Sequence, residues 1–141
     1  MIASWPGKIN AGENTEHISA FQDVLPTICE LAGIEKPAGI DGISFLPELM
    51  GEEQEKHDFL YWEFPQRSGQ QAVRMGRWKA VRMGVQKGNL EIKLYDLEND
   101  KHEQNNLAAQ HPEIVEKVRI IMEEEHCLPA IARFKMKSLG D

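Results

Sequence analysis

A run of basic side chains between residues 65 and 90 has the residue types best suited to a chemical role in this sequence. The run contains six cations and no acid, although the whole chain carries a net charge of −7. Arginine presents a planar fork of donors that matches the oxygens of sulfate and carboxylate groups. The run therefore indicates a surface suited to a sulfated sugar, and its members are Arg67, Arg74, Arg77, Lys79, Arg82 and Lys87.

A purely structural interpretation of these cations stays open. They can face the acidic side chains of a helix predicted over residues 112–126, or lie in solvent. Two tryptophans near the run, Trp62 and Trp78, have the same ambiguity. An indole ring can stack on a sugar, but a tryptophan in a strand is more often part of a core.

For the histidines, the acidic segment and the cysteines, the sequence pattern favours structural roles over chemical ones. The five histidines show no pair at the spacing of a zinc-binding helix, and we expect His57 to make a structural hydrogen bond. The acidic segment from Asp96 to Asp100 lacks the spacing of a calcium loop and is expected to cap a turn. Cys29 and Cys127 are too few for a disulfide framework, and we expect both to be buried free thiols.

Apolar spacing predicts two helices, over residues 19–32 and 112–126. Pro26 would break a helix interior, so the regular part of the first helix is expected to start near Asp23. Ser19 and Gln22 fit a capping pair at its start, and Gly33 is a natural stop. Its apolar face comprises Val24, Ile28 and Leu31. The second helix starts at Pro112, and its apolar stripe contains Ile114, Val115, Val118, Ile121 and Met122.

Four short segments in the middle of the chain have the composition of strands, at residues 59–64, 71–75, 77–83 and 90–96. Gly76 separates the second from the third, and Lys87-Gly88-Asn89 predicts a hairpin turn before the fourth. In the last segment, Ile92 and Leu94 alternate with polar residues. Close spacing predicts an antiparallel meander with the second helix over one face. A further strand is expected at residues 2–5, and a turn of helix at residues 45–50.

Composition limits the classes of protein. At 141 residues, with 41% hydrophobic and 28% charged residues, the chain can form a globular core. Its acidity argues against nucleic-acid binding, and no apolar run reaches the about 20 residues of a membrane span. The first residues do not have the pattern of a signal peptide.

Several segments, in this order and spacing, resemble the last third of a sulfatase of the arylsulfatase type in the alkaline-phosphatase superfamily. Each segment is weak alone, and the order and spacing carry the resemblance, which covers about residues 2–127. The segments are Ser4-Trp5-Pro6-Gly7, Leu25-Pro26-Thr27, Leu31-Ala32-Gly33, Asp41-Gly42, Tyr61-Trp62-Glu63-Phe64, Ala72-Val73-Arg74, Tyr95-Asp96-Leu97 and Asn106-Leu107-Ala108.

The resemblance implies an α+β architecture in three parts. Residues 1–54 would be the end of a larger α/β sulfatase domain, contributing one strand, one helix and a loop. Residues 55–127 would form the C-terminal subdomain, a small antiparallel sheet of about four strands covered by a helix. Residues 128–141 would be a tail.

The same resemblance implies that the loop between the first two strands of the sheet helps to form the substrate rim. It thereby nominates Glu63, Gln66, Arg67 and Gln70. It also implies that the parent enzyme uses calcium and a formylglycine nucleophile, made from the Cys or Ser of a Cys/Ser-x-Pro-x-Arg motif. Cys127-Leu128-Pro129-Ala130-Ile131 has isoleucine in place of that arginine. We therefore expect no catalytic residue, metal ligand or cofactor in this chain.

The sequence thus predicts the C-terminal portion of a periplasmic or secreted sulfatase acting on sulfated glycans or aryl sulfates, inactive alone. The alternatives are a related phosphodiesterase or phosphonate hydrolase, and a non-catalytic sugar-binding module. The expected partners are the N-terminal sulfatase portion and a sulfated glycan. Trp5 and the apolar face around Ile28 are expected to be covered by self-association or to be partly disordered.

Overall fold

The computed structural model describes residues 1–141. Two compact units divide the chain, residues 1–57 and residues 58–141. None of the helices combines the length and apolar content required to cross a membrane. The two units are described separately below.

The first unit is built around helix α1, Val24–Ala32, and a short helix α2, Leu46–Met50. A single 3-10 turn, Phe21–Asp23, leads into α1. The predicted start near Asp23 is confirmed, because Pro26 lies in the first turn, where its missing N–H has no intrahelical partner to lose. Gly33 ends the helix as predicted, in a left-handed conformation with φ 65°.

Two predictions for the start of the chain are wrong. Residues 2–5 pair with no strand, and the chain instead turns at Trp5, whose carbonyl oxygen accepts bonds from the amides of Lys8 and Ile9 at 3.0 and 2.9 Å. A strand is stable only where its backbone groups find partners, and the described chain supplies none here. Ser19 and Gln22 do not cap the helix either. The capping bond at this end is made by Asp23 instead, whose Oδ2 atom accepts the Ala20 amide at 2.6 Å.

The buried face of α1 differs from the predicted apolar face. Its buried side chains are Pro26, Thr27 and Cys29, while Ile28 and Leu31 remain about half exposed. Thr27 forms the connection to the segment that follows the helix: its hydroxyl oxygen accepts the Phe45 amide at 3.0 Å. Hydrogen bonding to a segment distant in sequence therefore favours burial of this face, and the covering of the Ile28 face stays a prediction.

The second unit contains a four-stranded antiparallel sheet in the order β1-β2-β3-β4, so the predicted meander is confirmed. The strands are β1, Leu60–Phe64; β2, Gln70–Met75; β3, Trp78–Met83; and β4, Ile92–Asp96. Gly76 and Arg77 alone connect β2 to β3, where Met75 pairs with Trp78. Gly76 has a positive φ of 53°, which glycine adopts at little cost.

The connection from β3 to β4 is longer than the predicted hairpin turn. A 3-10 turn at Val85–Lys87 precedes Gly88, and β4 begins only at Ile92. Val85 is fully buried in this connection, which explains why it folds inward rather than reversing in two residues. The predicted alternation in β4 is confirmed, since Ile92 and Leu94 are buried and Lys93 is exposed.

Helix α3, Pro112–Glu124, begins at the predicted proline. Its stripe packs onto one face of the sheet, with Val118 and Met122 almost fully buried and Ile114, Val115 and Ile121 beside them. The core consists of Val73, Ala80, Ile92, Leu94, Val118 and Met122. The α+β class, with a helix over an antiparallel sheet, is therefore confirmed.

The residues after α3 also pack in this unit. They form 3-10 turns at Ala132–Phe134 and Lys137–Leu139, and Met136 between them is fully buried. The prediction of two buried thiols is half correct, because Cys29 is buried and Cys127 is exposed, and both are free.

Candidate functional site

The two faces of the sheet separate the residues that the sequence nominated for the rim. Side chains alternate between faces along a strand, and the register pairs Glu63 with Gln71 and Phe64 with Gln70. Glu63 therefore lies on the α3 face, and Gln70 lies on the opposite, open face. Gln66 and Arg67 are exposed in the loop between β1 and β2. The structure does not bring these four side chains together.

The loop between β1 and β2 has a constrained backbone. Arg67 and Ser68 have φ of 51° and 75°, left-handed values that cost a non-glycine residue roughly 1–2 kcal/mol. The carbonyl oxygen of Gly69 accepts the amides of Gly84 and Val85 at 2.9 and 3.2 Å. The loop is thus held against the start of the β3–β4 connection, and this fixed backbone presents Gln66 and Arg67 to solvent.

Glu63 has a different environment from the one expected of a rim residue. Its Oε2 atom accepts bonds from the Tyr61 hydroxyl at 2.5 Å and from Gln71 Nε2 at 3.2 Å. The Nδ1 atom of His126 lies 2.8 Å from the same oxygen. Burial and then the hydrogen bond to Glu63 raise the pKa of Tyr61, so its hydroxyl stays protonated and donates. The Glu63 carboxylate is therefore occupied by internal partners.

Arg82 extends this polar cluster into the core. Its side chain is buried, and Nη1 donates to Gln71 Oε1 at 3.2 Å. The Nε atom has no partner. Burial lowers the pKa of Arg82 from its usual value. The sequence placed Arg82 in a basic surface run, and it missed the cluster because no local spacing links residues 61, 82 and 126.

No cation of the basic run forms an ion pair with the acidic side chains of α3, and Arg67 and Lys87 are exposed to solvent. Arg77 pairs with Asp96 and with Glu98, the latter at 3.1 Å, and Lys79 pairs with Glu103. On α3, Glu116 and Glu123 instead pair with Arg119 of the same helix. Four cations of the run form no ion pair, namely Arg67, Arg74, Lys87 and the buried Arg82.

The open face of the sheet carries a shallow cavity of about 190 Å³. Its lining includes Trp62, Phe64, Gln70, Ala72, Val81 and Met83. Trp62 remains 41% exposed there, as a residue that could stack on a flat ligand would be. Trp78, by contrast, packs against the core and lies 4.7 Å from the ring of His111. The core interpretation therefore holds for Trp78.

The first unit is organised by a buried carboxylate that sequence reasoning did not single out. Asp23 Oδ1 accepts the Ile43 amide at 2.9 Å and lies 2.8 Å from His57 Nε2. The predicted hydrogen-bonding role of His57 is thus confirmed. The only sequence signal for this centre was an acid at the start of a helix next to apolar residues.

The acidic loop after β4 is a turn structure, as predicted. Asp96 accepts bonds from Arg77 Nε at 3.0 Å and from Asn99 Nδ2 at 2.8 Å, and Asp100 accepts the amides of Gln104 and Asn105, both at 2.8 Å. The bond from Arg77, followed by those from the turn, lowers the pKa of Asp96 to about 2. These oxygens are therefore occupied by the chain itself.

The cofactors implied by the family resemblance do not fit the residues present. No group of three or more His, Cys, Asp or Glu side chains is arranged to hold a metal ion. Cys127 lies in an exposed segment without the arginine of the formylglycine motif. No chemical step is therefore assigned to calcium or formylglycine on this chain.

The sequence of this chain is similar to those of known sulfatases. Residues 1–127 match the family model described as N-sulphoglucosamine sulphohydrolase, C-terminal. The chain is 32% identical over 145 residues to an ulvan-active sulfatase from Formosa agariphila, covering 77% of this chain and 28% of the relative.

The chain also resembles parts of solved structures of a sulfatase and of a phosphonate hydrolase. A 2-O GAG sulfatase is 34% identical with a TM-score of 0.63, covering 72% of this chain and 23% of its own. The phosphonate monoester hydrolase of Agrobacterium radiobacter is 26% identical with a TM-score of 0.61, covering 81% of this chain and 27% of its own. The chain thus spans about a quarter of the length of these relatives.

Proposed function

This chain belongs to the C-terminal N-sulphoglucosamine sulphohydrolase family, and we propose that the protein carrying it hydrolyses sulfuric esters of glycans. The observation that carries the proposal is the match over residues 1–127, which includes both the first unit and the sheet with its helix. Relatives named as ulvan-active and 2-O GAG sulfatases support a sulfated glycan as the substrate class.

The contribution of this chain is structural support and part of the substrate rim. Arg67 lies exposed on a constrained loop and forms no ion pair, so its guanidinium is free to bind a sulfate group. Gln66 lies beside it, and Gln70 lines the cavity on the open face. Glu63 is occupied by internal hydrogen bonds, so the rim proposal rests on the other three residues.

In this proposal, the reactive groups of the enzyme lie outside the 141 residues of this chain. A calcium ion and a formylglycine nucleophile would be supplied by the upstream portion that the relatives possess, and this chain has no donor set for either. We therefore expect no release of sulfate from an aryl sulfate or a sulfated disaccharide by the 141-residue chain alone.

The test compares the 141-residue chain with the product of the longest reading frame that contains it. The long product should release sulfate from a sulfated disaccharide. Its Arg67→Ala variant should have a KM raised by about 10- to 100-fold, since a hydrogen bond to a charged group contributes about 1.5–3 kcal/mol. Lys117→Ala, an exposed cation on α3 without an ion pair, is the matched control and should leave KM unchanged. Turnover by the short chain that is lost on mutating one of its own residues would refute the proposal.

A second candidate is hydrolysis of phosphonate or phosphate esters. The similarity to the phosphonate monoester hydrolase, at 26% identity over 81% of this chain, favours it. The same long product assayed with an aryl phosphonate monoester separates the two. A higher kcat/KM for the phosphonate than for any sulfate ester would select this candidate.

A further inference from the structure

One histidine after the end of α3 is held between two carboxylates. His126 Nδ1 lies 2.8 Å from Glu63 Oε2 of β1, and its Nε2 lies 2.7 Å from Asp141 Oδ1. The three side chains are largely buried, with exposed fractions of 12%, 16% and 2% for His126, Glu63 and Asp141. The ring therefore joins β1 to the last residue of the segment that follows α3.

This geometry requires a particular protonation state. Neutral imidazole carries one N–H, whereas the imidazolium carries two and donates from both nitrogens. Glu63 Oε2 already accepts from Tyr61 and Gln71, and Asp141 Oδ2 accepts the Met136 amide. Both carboxylates act as acceptors, so both bonds to the ring need a proton on the histidine side. A neutral ring would break one bond and turn a lone pair toward a carboxylate.

The contacts of Met136 show what the histidine would fasten. Met136 is fully buried in the segment 128–141, and a Cβ built at Gly69 would lie 2.7 Å from its Sδ atom. The Cβ atom of Val85 lies 3.2 Å from the same added Cβ at Gly69, so Val85 and Met136 both border this glycine. The segment thus packs against Gly69, the last residue of the loop that presents Gln66 and Arg67.

We propose that His126 is a proton-operated latch, which in its charged form fastens residues 128–141 onto β1 and onto the loop ending at Gly69. Other charged and titratable groups surround the cluster on every element that contributes to it. They are Tyr61 from β1, Arg82 from β3, Arg119 and Glu123 from α3, Cys127 beside the ring, and Lys135 from the segment itself. Glu63 serves the latch, which explains its inward orientation.

The direction of the pH dependence follows from the pKa changes of His126 and Asp141 on folding. Burial would lower the pKa of His126, but the hydrogen bonds and charges of Glu63 and Asp141 outweigh it and raise the pKa above its usual value. A group whose pKa is raised on folding stabilises the fold fully below its unfolded pKa of about 6.5 and loses that effect as pH rises through the folded pKa. Burial opposes ionisation of Asp141, but its bonds from Met136 and His126 lower its pKa on balance, so acid opens the latch only at low pH.

The experiment measures amide hydrogen exchange of Met136 in the complete 141-residue chain from about pH 6 to about pH 9, corrected for intrinsic exchange. Protection should fall by about tenfold for each unit by which the folded pKa of His126 exceeds the unfolded one. In His126→Gln, protection should be low and independent of pH. His102→Gln, which removes an exposed histidine whose side chain forms no hydrogen bond or ion pair, is the matched control and should behave as wild type.

A second measurement needs no variant. Nitrogen-detected NMR of the wild-type histidine rings should show a titration midpoint of His126 above the ordinary value of about 6.5, with both ring nitrogens protonated below that midpoint. A midpoint at or below that value, or Met136 protection that is unchanged across the range, overturns the proposal. This test does not involve sulfate ester hydrolysis, so it is independent of the proposed function.

Discussion

Replacing Gly42 by alanine is expected to detach the segment after residue 41 from helix α1. A Cβ at position 42 would lie 2.2 Å from the carbonyl oxygen of Gln22 and 3.1 Å from Pro26 Cγ. Gly42 belongs to the Asp41-Gly42 pair of the family pattern. Immediately after it, the amides of Ile43 and Phe45 donate to Asp23 Oδ1 and Thr27 Oγ1 at 2.9 and 3.0 Å.

The size of the effect follows from these contacts. The Cβ falls about 0.8 Å short of the 3.0 Å that real Cβ atoms keep, and its neighbour is backbone, which cannot rotate away. Overpacking of this kind costs about 1–3 kcal/mol. Displacing the segment also weakens the bond from Ile43 to the Asp23 carboxylate, and a bond to a charged group contributes about 1.5–3 kcal/mol. We expect a total loss of about 2–4 kcal/mol in the free energy of unfolding of the first unit.

The assay combines urea unfolding with amide exchange. Gly39→Ala is the matched control, because Gly39 is exposed, has φ 72° and has no atom within 4 Å of an added Cβ. It should cost only the about 1–2 kcal/mol of a left-handed alanine, and the Ile43 and Phe45 amides should stay protected. In Gly42→Ala both amides should exchange faster. Equal costs for the two variants together with unchanged protection of Ile43 and Phe45 would refute the reasoning.

Two further predictions concern the second unit. Arg82→Met should leave the free energy of urea unfolding unchanged or raise it by about 1–4 kcal/mol. The reason is that the buried guanidinium makes one long hydrogen bond and has an unpaired Nε. A loss above about 3 kcal/mol would contradict this and show that the arginine is well paired in the core. Asp96, with a folded pKa of about 2 against an ordinary 3.8, stabilises the fold above about pH 3.8, and this effect is lost as pH falls toward 2. The acid-range decline in the urea midpoint should be shallower in Asp96→Asn, and identical slopes would contradict the role given to the Arg77–Asp96 pair.

The elements with strong local signals were predictable from the sequence. Pro112 with the stripe from Ile114 to Met122 specified α3, and the two-residue connection at Gly76 specified the β2–β3 hairpin. The strand at residues 2–5 failed because a strand exists only with a partner, and an apolar run does not reveal whether one is present. The prediction of the buried face of α1 failed for a similar reason, since the amides that bond to Asp23 and Thr27 lie 20 and 18 residues away along the chain.

The rim residues show the same division. The sequence correctly placed Gln66 and Arg67 in a loop, but it could not show that Glu63 and Gln70 lie on opposite faces, because this depends on the strand register. The basic run was visible as composition. Its division into ion-paired Arg77 and Lys79, buried Arg82, half-buried Arg74 and exposed Arg67 and Lys87 was not.

By itself, the sequence determined the family, the α+β class and the lack of a nucleophile motif, because these depend on residue identity and on short-range spacing. Only the tertiary structure decided that Glu63, His126 and Asp141 form one cluster and that Met136 closes over Gly69. The bond between His126 and Glu63 joins residues 63 positions apart, and the contact between Met136 and Gly69 joins residues 67 positions apart. No periodicity extends over such a distance, and the charge state of His126 is set by neighbours that only folding brings together.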